Sequence, residues 1–134
     1  DEQGFAGSGG DKEARQDMFS HFDTRHPLYR AIAELARIRR ENVALRRGRQ
    51  LVRSHGPKPG LFAVSRIDPN TGAETVVAFN TSTKPISAQV VIGAQSLHFL
   101  SMHGHCGAAP TAPGSYRVEI PALDYVACAA VAGK

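Results

Sequence analysis

The chain has 134 residues, 42% of them hydrophobic and 21% charged, with a formal net charge of +4. That length holds one domain of ordinary size plus a short appendage, and the composition is that of a folded chain, not a disordered one. No apolar run approaches the roughly 20 residues needed to cross a bilayer, so no membrane partner is expected.

Residues 1–4 (Asp-Glu-Gln-Gly) supply neither a charged n-region nor an apolar h-region, and no initiator Met precedes them. The expectation is a chain that starts as though cut from something longer, with no compartment assigned. Gly4, Gly7, Gly9 and Gly10 make the first ten residues a loop, and residues 11–18 allow a helical turn or two. The glycines lack the Gly-Lys-Ser/Thr ending and the preceding strand of a phosphate cradle, so they read as a cleft-type loop.

The helix that follows starts at Pro27, a residue favoured at the first helical position because its missing N–H has no partner there. Leu28, Ile32, Leu35 and Ile38 recur at helical spacing, with Tyr29, Ala33 and Ala36 widening the apolar face and Arg30, Glu34, Arg37 and Glu41 opposite. The helix, or a short continuation through Leu45, is expected to stop at Gly48. Arg39 falls inside the apolar arc, where it must snorkel outward or meet a buried carboxylate on another element.

Arg37, Arg39, Arg40, Arg46, Arg47, Arg49 and Arg53 concentrate the basic excess in this helix and its exit. Nucleic-acid binding requires such a stripe together with a reading motif. None accompanies it, so no nucleic-acid partner is expected.

Strands begin at Leu61. Leu61–Ile67 and Glu74–Asn80 flank Asp68-Pro69-Asn70-Thr71-Gly72, a turn sequence, and should pair as a hairpin. Residues 86–92, 97–101, 115–120 and 125–131 follow, separated by Gly, Pro and Ser loops. About six short strands after a helix give a mainly β fold, an antiparallel β-sandwich.

Cys106 and Cys128 are too few for a disulfide scaffold. They are either one bridge or two buried thiols, and the thiols are the preferred account. His103, His105 and Cys106, with His98, lack the second ligand pair of a structural zinc site, so no metal is assigned. No oxygen-rich loop indicates calcium, and no cofactor is expected. Asn80-Thr81-Ser82 fits a glycosylation sequon but fits an ordinary strand end equally, and the latter is preferred. Tyr116, Tyr125 and Phe99, at strand spacing, are assigned to the core and not to a sugar-stacking face.

Several segments, in order, resemble the α-amylase family, glycoside hydrolase family thirteen. Asp1-Glu2-Gln3-Gly4-Phe5, Gly9-Gly10-Asp11 and Ala14-Arg15-Gln16-Asp17-Met18-Phe19 are similar to the stretch after the family's eighth barrel strand. His26-Pro27-Leu28-Tyr29-Arg30 and Leu35-Ala36-Arg37-Ile38-Arg39-Arg40-Glu41-Asn42 resemble its last barrel helix, and Ala44-Leu45-Arg46-Arg47-Gly48 the exit from it. Leu61-Phe62-Ala63-Val64-Ser65-Arg66 and Val76-Val77-Ala78-Phe79-Asn80 resemble the first strands of its C-terminal β domain. The stretch between Phe19 and Phe22 is shorter than the family pattern.

The resemblance implies residues 1–50 as the loop and last helix of a truncated catalytic barrel, and 51–134 as the C-terminal β-sandwich. It implies a parent enzyme that cleaves or transfers α-glucosidic bonds of an α-glucan or oligosaccharide. The family's acid trio has no matching position here, so no catalytic residue is assigned and this chain by itself is expected to be inactive. Retaining hydrolysis needs two carboxyls about 5–5.5 Å apart, held rigidly. The local acids Glu2, Asp11, Glu13 and Asp17 sit instead in a glycine-rich loop or its short continuation. That loop would lie at the carboxy-terminal end of a barrel strand, where such enzymes bind substrate, so Glu2, Asp11 and Arg15 are the candidate sugar-binding residues. The alternative is a non-catalytic carbohydrate-binding or interaction module, which would need a row of exposed aromatics on one sheet face.

Overall fold

A computed structural model describes residues 3–7, 9–15, 19–20 and 22–131. The chain divides into two compact units, Asp1–Glu41 and Asn42–Lys134.

In the first unit, helix α1 spans Pro27–Glu41. His26 starts it twice over: its carbonyl accepts from the Arg30 N–H at 3.1 Å and its Nδ1 accepts from the Leu28 N–H at 3.3 Å. The Phe22 ring stands edge-on to Tyr29 with centroids 5.6 Å apart. Residues 11–14 form turns, not a helix.

The second unit opens on Asn42, whose extended backbone (φ −116°, ψ 117°) keeps α1 from running on to Gly48. Its Oδ1 accepts from the Leu45 N–H at 3.0 Å and caps a new short helix, α2, Val43–Arg47. Gly48 ends α2 as expected, but for a different reason. Its φ of −68° suits any residue. What it lacks is room: a Cβ there would stand 2.4 Å from the Ala44 carbonyl oxygen and 2.7 Å from that of Ile67.

Among the described residues seven strands follow, β1 Arg49–Ser54, β2 Leu61–Ile67, β3 Glu74–Asn80, β4 Ile86–Val91, β5 Phe99–His103, β6 Ser115–Ile120 and β7 Tyr125–Ala130. The sandwich after a helix is the expected mainly β fold, with one strand more than the sequence reading found. That strand is β1, whose sequence Arg-Gln-Leu-Val-Arg-Ser reads as a helix exit. All pairs are antiparallel, in a five-stranded sheet ordered β1-β2-β3-β7-β5 and a two-stranded sheet β4-β6. The β2–β3 turn is built as the sequence requires: Asp68 Oδ1 accepts from the Asn70 N–H at 2.8 Å, and Gly72 takes a φ of +73°.

Between the sheets, Ala63, Val76, Ala78, Phe99, Val126 and Cys128 meet Val90, Ile92, Tyr116, Val118 and Ile120. Phe99 and Tyr116 pack ring to ring at 4.3 Å, core residues as assigned. The Tyr116 hydroxyl donates to the Gly107 carbonyl at 2.7 Å, and burial pushes its pKa up to about 12. Cys106 and Cys128 are joined in a disulfide, with Cα atoms 5.7 Å apart. The preference for two thiols is thereby overturned. The loop bearing Cys106 folds back, bridges Val118 on β6, and presents its sulfur to β7.

Asn80 ties the sheets together at the opposite end. Its Nδ2 donates to the carbonyls of Lys84 (2.7 Å), Pro121 (2.9 Å) and Ile120 (3.3 Å), while its Oδ1 accepts from the Ser82 N–H and hydroxyl. The side chain is buried, so the sequon serves the strand end.

Candidate functional site

The sequence places its candidate sugar contacts in the first loop. Glu2 lies outside the described residues. Asp11 and Arg15 come together as an ion pair of 2.9 Å, one turn apart and well exposed. The loop around them has two anchors. The buried Gln3 amide accepts from the Asp23 N–H at 2.8 Å and donates to the Asp23 carbonyl at 3.3 Å, much as a β-bridge would. The Ala14 N–H closes a turn onto the Gly10 carbonyl at 2.9 Å. This arrangement presents one cation and one carboxylate to solvent, a pair able to hydrogen-bond neighbouring hydroxyls of a polyol.

Helix α1 carries an apolar stripe on which Leu28, Ile32 and Leu35 remain 46–49% exposed, while Ile38 is buried. Arg39 is exposed too and makes no ion pair among the described residues. The basic stripe is thinner than it reads. Arg37 donates to Glu34 at 2.8 and 3.0 Å and to Glu41 at 2.5 Å, and the Glu34 hydrogen bond and charge, then Glu41, hold it more firmly protonated than usual. Arg53 lies in β1, not in the helix exit, and is spent on a carboxylate within the sandwich.

That carboxylate is Glu74, buried at the start of β3. Its Oε1 receives Arg53 Nη2 at 2.9 Å and the Ser65 hydroxyl; its Oε2 receives the Gly93 N–H and the Ser96 hydroxyl, both at 2.7 Å. Burial alone would raise its pKa, but the bonds from Ser65, Ser96, Gly93 and Arg53 outweigh it and leave the carboxyl below its ordinary value. Nothing in the sequence distinguished Glu74 from a surface acid. Every lone pair is occupied by a neighbour, so this is a strut, not a reactive group.

A row of rings, which the sequence reading missed apart from Tyr125, crosses the outer face of the five-stranded sheet. Phe62 on β2 and Phe79 on β3 are register partners with centroids 6.2 Å apart. Phe79 and Tyr125 on β7 are also partners, at 5.8 Å. His103 on β5 then lies flat against Tyr125 at 3.9 Å, with Nε2 3.6 Å from Asp124 Oδ1. Tyr125 therefore leaves the core to which it was assigned. His103 and Cys106, grouped by sequence as possible ligands, are occupied separately by this stack and by the disulfide. A groove of about 640 Å³ near Asp124, lined by Pro85, Ile86, His105, Glu119 and Pro121 among others, has no Phe or Tyr in its wall.

The architecture is thus a β-sandwich preceded in the chain by a long amphipathic helix. No protein-family model matches the chain. A curated α-amylase of Streptomyces lividans is 39% identical over 125 residues, covering 78% of this chain and 14% of the relative. An Anoxybacillus α-amylase crystal structure aligns with a TM-score of 0.66 at 19% identity, over 94% of this chain and 27% of that one. A debranching enzyme of Nostoc punctiforme aligns at 0.60 with 20% identity, over 78% of this chain and 20% of that one. The two structural likenesses speak for the fold. The sequence match carries the identification: the chain belongs to the α-amylase family. It spans 14% of the length of the curated relative it matches.

Proposed function

We propose that this chain forms the end of the catalytic barrel and the C-terminal β domain of an α-amylase-type glycoside hydrolase acting on α-glucosidic bonds of glucans or oligosaccharides. Residues 1–50 supply the loop and last helix of the barrel, and residues 51–134 supply the sandwich that stabilises it. The loop bearing Glu2, Asp11 and Arg15 reaches the cleft and hydrogen-bonds sugar hydroxyls. Catalytic acids come from elsewhere in the polypeptide, and so does the partner that Arg39 meets.

The observation that carries this reading is the half-exposed stripe of Leu28, Ile32 and Leu35 on α1. An amphipathic helix gains its stability by burying such a stripe, and contiguous exposed apolar side chains mark a contact surface. Strands of a barrel are the surface that the family membership supplies. The test is Ile32→Ala in two settings. In the 134-residue chain, where the side chain is half solvated, the stability change stays within about 0.5 kcal/mol. In the complete enzyme the same change costs about 2–4 kcal/mol, as a sealed core position does. Equal small effects in both would remove the reading.

The alternative module draws on the row Phe62, Phe79, Tyr125 and His103. A sugar platform must offer ring faces to the ligand. These rings are stacked on one another, with His103 and Tyr125 only 4° from parallel, so the faces between them are already taken. Calorimetric titration of this chain with maltooligosaccharides should therefore register negligible heat.

A further inference from the structure

The loop from Gln3 to Asp23 is shut by a side chain. Gln3 is 8% exposed, and both ends of its amide go to the main chain of one residue: Oε1 accepts from the Asp23 N–H and Nε2 donates to the Asp23 carbonyl. That carbonyl also accepts from the His26 N–H at 3.1 Å, and His26 carries the start of α1. Gly4 adds a second point of closure. Its φ is +71°, and a Cβ on it would stand 3.1 Å from the His26 ring. The loop is thereby clasped to the first turn of the helix. A buried amide costs free energy unless its donor and acceptor are both used. Here both are used to fix where the loop leaves and where it returns. Midway along the loop, the turn from Gly10 to Ala14 holds Asp11 and Arg15 as an ion pair exposed on both sides. An ion pair in that setting adds little to stability, so stability does not account for it. A pair held ready for hydroxyl groups does.

We infer that Gln3 is the positioning residue of the proposed sugar site: it touches no substrate itself, and its amide clasp sets the place of the Asp11–Arg15 pair. This role rests on the sugar contacts proposed for that pair and names the residue through which the shape of the loop governs binding. Closing a flexible loop is opposed by chain entropy, and Gly7, Gly9 and Gly10 enlarge that entropy. Unclasped, the pair would be spread over many positions, and a contact displaced by about 1 Å is largely lost. The loss falls on substrate and transition state alike, so it appears in KM and leaves kcat. A residue that merely stabilised the fold would lower the thermal midpoint and leave the KM of the folded fraction unchanged.

Steady-state kinetics on the polypeptide of the complete reading frame, with maltoheptaose as substrate, test this. Gln3→Met keeps the length and bulk of the side chain and removes both bonds. KM should rise about tenfold, the scale of one hydrogen bond to a charged group, with kcat within about twofold of wild type. Gln3→Glu keeps the acceptor for the Asp23 N–H and loses the donor, and it serves if Gln3→Met does not fold; its KM should rise about threefold. On an Asp11→Ala/Arg15→Ala background neither change should move KM by more than about twofold, because the pair through which Gln3 acts is gone. A wild-type KM in Gln3→Met, or in Gln3→Glu where only that variant folds, overturns the positioning role; a raised KM in Asp11→Ala/Arg15→Ala then leaves the sugar contacts standing. An undiminished effect of Gln3→Met on that background overturns the role as well, since Gln3 then acts elsewhere. A wild-type KM in Asp11→Ala/Arg15→Ala, or a complete polypeptide that does not turn over maltoheptaose, sinks the sugar contacts of the loop and the positioning role with them.

Discussion

The guanidinium of Arg53 on β1 reaches across β2 to the carboxylate of Glu74 on β3, with Nη2 2.9 Å from Oε1 and Nε 2.8 Å from the Ser65 hydroxyl on the way. Three strands and the β4–β5 loop are thereby pinned by one acid. Replacing it leaves Arg53 and two hydroxyls facing a site with no counter-charge.

Glu74→Gln should lower stability at pH 7 by about 3 kcal/mol, the scale for breaking one side of a buried pair. The pH dependence has a definite sign. The Glu74 carboxyl is held below its ordinary 4.5 in the folded chain, so its contribution is complete above that value and disappears as pH falls through the folded pKa. Urea denaturation of wild type and variant across pH 7 to about 3 should show the gap narrowing below roughly pH 4.5. A gap that is constant with pH would mean the carboxylate charge plays no part.

The disulfide joins residues 22 positions apart in sequence. Loop-closure entropy puts its contribution at about 3 kcal/mol. The double variant Cys106→Ser/Cys128→Ser should denature at correspondingly lower urea, and wild type under reductant should shift by a similar amount. Thiol titration of the native oxidised chain should find no reactive sulfhydryl.

Gly48→Ala places a methyl against the carbonyl oxygens of Ala44 and Ile67, each already inside contact distance. The junction of α2 with β1 must open to admit it, at a cost of about 2 kcal/mol. Because φ is ordinary, the cost is one of space; a Gly48→Ala variant as stable as wild type in urea would show that the junction admits a methyl.

Leu123 is a non-glycine residue with φ of 55°, and it is 70% exposed. Its N–H still donates to the Ser82 carbonyl at 3.0 Å. Leu123→Asn keeps that bond and relieves left-handed strain, with little apolar burial to lose. The thermal midpoint should rise, reflecting about 1 kcal/mol. A fall would show that the leucine side chain has a packing role that its exposure conceals.

Much of this fold was legible because local chemistry and global structure agree. Pro27 begins the helix, Asp68-Pro69-Asn70-Thr71-Gly72 makes the turn, and the alternation of Ser115–Ile120 survives as β6. What escaped depended on partners distant in sequence. β1 has two apolar residues among six and gains its strand from pairing with β2. Phe99–His103 sits two residues later than expected because its register is dictated by β7. Arg53 looked like one of seven arginines until Glu74 faced it across 21 positions. Among the candidate sugar contacts, spacing brought Asp11 and Arg15 together; the Phe62–Phe79–Tyr125 row could not be read without the register.

The amide of Asn80 has a bearing on how the chain can be produced. With its nitrogen committed to three carbonyls, a glycan on that atom and the finished sandwich are mutually exclusive. In a secretory host that modifies Asn-X-Ser/Thr, oligosaccharide transfer would race the closing of β3 against β6. Molecules that lose the race carry a sugar where a strand junction belongs, and the yield of native material would then reflect folding speed more than thermodynamic stability.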